Sequence, residues 1–158
     1  MTGELAGRRR DVQYLSLDDF RADVERLAAT SVRTVGDWSF GQILVHLAKT
    51  IGFSLDGFPF QSPWLVRKLV TLFLKNRLLH KKLPSGFKLP KKGRGLLPEP
   101  DTTVEEGTRM ILAALDRLQR EIPRAAHPAL GQLTPEEWQS LHLRHAELHM
   151  SFALSNDE

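Results

Sequence analysis

Half of the six histidines in this 158-residue chain fall within eight residues, as His142, His145 and His149. A helix turns about 100° per residue, so His145 and His149 project within about 40° of each other, one turn apart. Two imidazoles at that spacing can grip one divalent metal ion. His142 faces roughly the same way. His145 falls on the apolar stripe of Trp138, Leu141, Leu148 and Phe152, and His149 borders it, while Glu136, Glu137, Arg144 and Glu147 lie around the other side. Imidazoles turned toward an interior need partners, because burying an unpaired polar group costs about 1–3 kcal/mol. A metal ion partners both at once. Ordinary hydrogen bonds within a core are the other reading, and spacing alone does not separate the two.

The segment "HAELH" is not the H-E-x-x-H of zinc proteases, because Glu147 points about 160° away from His145 and cannot serve as their general base. A third nitrogen is available in "SFGQILVHLAKT", where His46 sits at the edge of the apolar face made by Ile43, Leu44 and Leu47. Taken alone, His46 reads as an inward, hydrogen-bonded residue. With His145 and His149 on a neighbouring helix it completes a three-nitrogen site. Three neutral ligands leave an open position, the layout of a catalytic rather than a structural centre, where a zinc ion lowers the pKa of water to about 7 or accepts a thiolate. Nitrogen ligands suit zinc or nickel first, with copper and iron not excluded.

Metal-bound histidines usually donate their second N–H to a neighbour. Gln42, one turn before His46, and His142 are the candidates. His142 also reads as a fourth ligand, a proton shuttle or a hydrogen-bonded core residue. Trp38 and Trp138 open their helices, as packing anchors or as walls of the substrate pocket. His80 and His127 read as loop or surface residues. The chain has no cysteine, which excludes disulfides and thiolate ligands, and it shows no Ser-His-Asp pattern or phosphate loop.

Four amphipathic helices must carry these residues. Ser16 with Asp19 opens the first, spanning about 16–29, and Leu17, Phe20, Val24, Leu27 and Ala28 form its stripe. The second spans about 39–55. Thr103 with Glu106 opens the third, about 103–122, with Val104, Ile111, Leu115, Leu118 and Ile122 inward and Pro123 after the stop. "TPEE" opens the fourth, about 134–154, with Pro135 at its first position. No stretch alternates like a strand. The expectation is one all-α domain over 1–158, a four-helix bundle, with a loose N-terminal segment over 1–12 and a basic insertion over 61–100.

That insertion concentrates the charge. The net charge is only +3, yet Gly57 to Pro98 holds ten Lys or Arg and no Asp or Glu. Its first half, 63–82, reads as one extra basic amphipathic helix. Its charges rule out a comfortable membrane span. Four uses stay open: packing on the bundle, a pocket lid, a homodimer interface, and peripheral contact with an anionic membrane. Nucleic acid fits poorly, because aromatics interleave little with the cations. Lys88, Lys91, Lys92 and Arg94 would steer an anionic small-molecule substrate. The N-terminus has arginines but no apolar segment after them, which reads as no secretory signal and a cytoplasmic setting.

A first long helix, a second with W-S-x-x-x-x-L-x-H-L and a last with H-x-x-x-H resemble the DinB-like superfamily of metal-binding four-helix bundles. The tail "HPALGQLTPEEWQSLHLRHAELHMSF" is most similar to a branch of it known only as a domain of unknown function. The likeness runs from about Arg9 to Phe152. It implies a metal triad of His46, His145 and His149, and an activity such as a metal-dependent hydrolase or a transferase of low-molecular-weight thiols. The basic insertion departs from the better-known members, so substrate class is not carried over. A non-catalytic small-molecule or lipid-binding bundle is the alternative.

Overall fold

Helix starts in this chain are fixed by side chains that satisfy otherwise orphaned backbone N–H groups. A computed structural model describes residues 8–86 and 91–157. Ser16 accepts from Asp19 N at the head of α1 (Leu17–Ala28), Ser39 from Gln42 N at α2 (Phe40–Asp56), Thr103 from Glu106 N at α5 (Val104–Arg120), and Thr134 from Glu137 N at α6 (Pro135–Met150). The reciprocal half of the capping box is present at α1, α2 and α6. Between α2 and α5 lie α3 (Trp64–Phe73), α4 (Lys75–His80) and a 3-10 turn, Lys91–Leu96. The described residues are thus mostly helical.

Four of the helices share one core. Phe20, Val24 and Leu27 of α1 meet Ile43, Leu44, Leu47 and Ile51 of α2, Ile111 and Leu115 of α5, and Leu143, Ala146 and Met150 of α6. The α2–α5 contact is close because glycine stands on both sides. A Cβ on Gly41 would lie 2.5 Å from Thr103 O, and one on Gly107 would lie 2.6 Å from Gly41 O. A second, smaller cluster gathers Leu79, Leu130, Leu133, Trp138 and Leu141, and so docks α4 and the 121–133 connection onto the N-terminal half of α6.

Several expectations are corrected. The helix expected over 63–82 breaks at Leu74 into α3 and α4. α6 ends at Met150 rather than near Leu154, and residues beyond it form β2 (Ala153–Ser155), which pairs antiparallel with β1 (Val32–Thr34). Three-residue strands are too short to show alternation. Val104 and Ile122 are exposed rather than inward, because one is the first residue of α5 and the other falls past its end. The loose segment expected over 1–12 falls outside the described residues for 1–7. Residues 8–12 are pinned: Arg10 N donates to Ser151 O at 2.8 Å, its guanidinium bridges Asp23 and Met150 O, and Val12 is buried. Among the described residues no helix is long and apolar enough to cross a membrane.

Candidate metal centre

α2 and α6 face each other across the core, and each aims imidazoles at the same point. The ligand nitrogens of His46, His145 and His149 all lie within 4.8 Å of one another. His46 Nε2 and His145 Nε2 are 3.2 Å apart. Two nitrogens about 2.0–2.1 Å from a tetrahedral zinc ion stand roughly 3.3 Å apart, so that pair already has ligand spacing. His46 is buried, and His145 and His149 are half-buried. The three histidines are thus able to hold a metal ion.

Protonation favours that use. Burial is the largest influence holding the His46 imidazole below its ordinary range, with the Lys49 charge adding to it against the hydrogen bond to Leu96. Burial, then the neighbouring His149 and His46, pushes His145 far down, and burial followed by His46 brings His149 to about 3. All three are therefore neutral at pH 7, with lone pairs on offer. His46 Nδ1 lies 2.8 Å from Leu96 O. A carbonyl only accepts, so Nδ1 carries the proton and Nε2 presents its lone pair toward the cluster. Without a metal, His145 Nε2–H is then the donor to His46 Nε2. Ligation through that atom needs the His145 proton on Nδ1.

Trp38 walls the cluster. Its indole stacks on the His149 ring at 5.4 Å and 14°, and stands 4.8 Å from the His46 ring. The short sheet brings it there: β1 and β2 tie the chain after α6 to the chain before α2, and Val35 N donates to Phe152 O. Trp138 takes the anchor reading instead. It is 1% exposed and packs among Phe58, His127 and His142 in the second cluster.

The expected outer groups are engaged elsewhere. Gln42 accepts from Ser39 N in its own capping box and donates to Glu99 O. The spacing S-x-x-Q over Ser39 to Gln42 is a capping signature and was the signal for that role. His142 Nε2 donates to Ser54 Oγ at 3.0 Å, since that hydroxyl gives its own proton to Ile51 O. The neighbour that receives a ligand's N–H is the backbone of Leu96, which no side-chain pattern marks. His80 is exposed at the end of α4. His127 lies in the 121–133 connection, half-buried, and its Nδ1 accepts from Ala129 N and Leu130 N to shape the turn before α6.

A helical domain whose last long helix and second helix converge three neutral imidazoles defines a class, proteins able to hold a divalent ion through nitrogen alone. Within it, this chain belongs to the family DUF1569, described as a protein of unknown function, whose match covers residues 6–156. No curated protein and no solved structure matches the chain.

Proposed function

We propose that the protein is a DinB-like four-helix bundle and a metal-dependent enzyme, in which His46, His145 and His149 hold one divalent transition metal, zinc or nickel. The observation that carries this reading is the convergence of three ligand nitrogens within 4.8 Å on two helices. When bound, such an ion supplies Lewis acidity toward a water or a thiol, which fits a hydrolase or a low-molecular-weight-thiol transferase. The chain's own residues do the rest. Leu96 O holds the His46 tautomer, and Trp38 shields one flank of His149. A cytoplasmic setting is kept as part of the proposal.

Elemental analysis of purified protein tests this directly. About one zinc or nickel ion per chain is expected. His46→Ala and His149→Ala should each lose affinity beyond the roughly 10–100-fold that loss of an outer-shell partner costs. Metal at full occupancy in both variants would overturn the triad. Full metal without turnover across thiol-transfer and hydrolysis panels would favour the non-catalytic binding bundle.

A further inference from the structure

α3 is mounted with its polar side inward. Arg67, Val70 and Thr71 form the line that meets the protein body: Val70 packs on the second cluster, Thr71 Oγ1 donates to Leu130 O at 3.1 Å, and Arg67 bonds to Gln61. The opposite arc, about 120° wide at 100° per residue, is wholly apolar. It holds Leu65, Val66, Leu69, Leu72 and Phe73, which are 52%, 44%, 48%, 71% and 72% exposed, and Lys68 flanks it on the Leu72 side. No residue of α3 is buried, and no described residue covers this arc. An amphipathic helix that only packed on the bundle would be turned the other way, so the ordinary packing expected for this segment does not describe α3.

The charges of residues 68–82 select its occupant. Lys75 pairs with Glu137 and Lys82 with Asp11, while Lys68, Arg77 and Lys81 are exposed. No carboxylate occurs between Gly57 and Pro98. A second copy of the chain would set these cations against their own counterparts, because an isologous contact opposes a patch to itself. A nucleic acid would match the charge but leave the leucines and Phe73 without apolar cover. An anionic bilayer satisfies both: acyl chains take the apolar arc and headgroups take the cations. We infer that α3 is a membrane-docking surface that seats the protein on anionic lipid, lying in the interface without spanning it.

Flotation with vesicles of phosphatidylglycerol in phosphatidylcholine tests the inference on the full chain. The protein should float with anionic vesicles, not with pure phosphatidylcholine, and detach as salt rises. L72E/F73E should abolish flotation, and K68E/K81E should weaken it about tenfold or more. All four residues are exposed, so far-UV circular dichroism and the urea midpoint should match wild type. Absence of flotation by wild-type protein, or flotation of L72E/F73E equal to wild type, would overturn it. So would self-association or duplex RNA binding that L72E/F73E removes while vesicles never bind.

Discussion

Three imidazoles bind a cation only while they are neutral, and burial keeps these neutral. The same fact sets how the metal-free protein responds to acid. His142 and His149 lie at about 3 and His127 at about 4 in the fold, each lowered first by burial, against about 6.5 in the unfolded chain. Between those values the unfolded chain binds more protons, so stability rises with pH through that window. Stability present above about pH 6.5 is lost progressively as pH falls toward 4. Urea midpoints of the metal-free protein should drop between pH 7.5 and pH 5; equal midpoints would show that these histidines are not buried neutral. Spacing pointed to His145 and His149, because i, i+4 geometry is written in the chain, and the DinB-like resemblance brought His46 into the triad. The bond from His46 to Leu96 O was not legible, since a backbone carbonyl in an irregular insertion has no residue type to mark it.

At the scale of elements, caps and stripes make the four long helices readable in the sequence, to within a few residues at their ends. What lay hidden depended on partners distant in sequence. Glu147 is the clearest case. Helical geometry put it opposite His145, as it is, yet it is 4% exposed because the 8–15 segment runs over that face. Its carboxylate accepts from Tyr14 N at 2.7 Å and pairs with Arg144 at 2.6 Å. Glu147→Ala would strand Tyr14 N and take the counter-ion from Arg144, which keeps only Tyr14 O, and should cost about 3 kcal/mol or more in chemical denaturation; a change under about 0.5 kcal/mol, the level of a surface site, would refute the buried pair. The α2–α5 contact makes a second demand. At Gly107 an added Cβ meets backbone that cannot yield, so Gly107→Ala should destabilise by about 1–3 kcal/mol despite its better helix propensity. A stabilised Gly107→Ala would mean that the helices are further apart.

For the molecule as a whole, the two proposed surfaces lie on different parts of the fold. The histidine cluster belongs to α2 and α6, at the edge of the main core, and the outward apolar arc belongs to α3, above the second cluster. The sequence displayed the insertion's basic, apolar composition but not its orientation, because a periodic pattern identifies a face without saying what lies opposite it. Independent surfaces should respond independently: L72E/F73E should leave metal content unchanged, which parallel elemental analysis of both proteins would check. The claim on which the rest depends is that one ion is shared by three imidazoles. X-ray absorption of the zinc- or nickel-loaded protein reads this most directly. Three imidazole nitrogens at about 2.0–2.1 Å are expected in the first shell. A shell made of oxygen, or one left unchanged in His145→Ala, would contradict it.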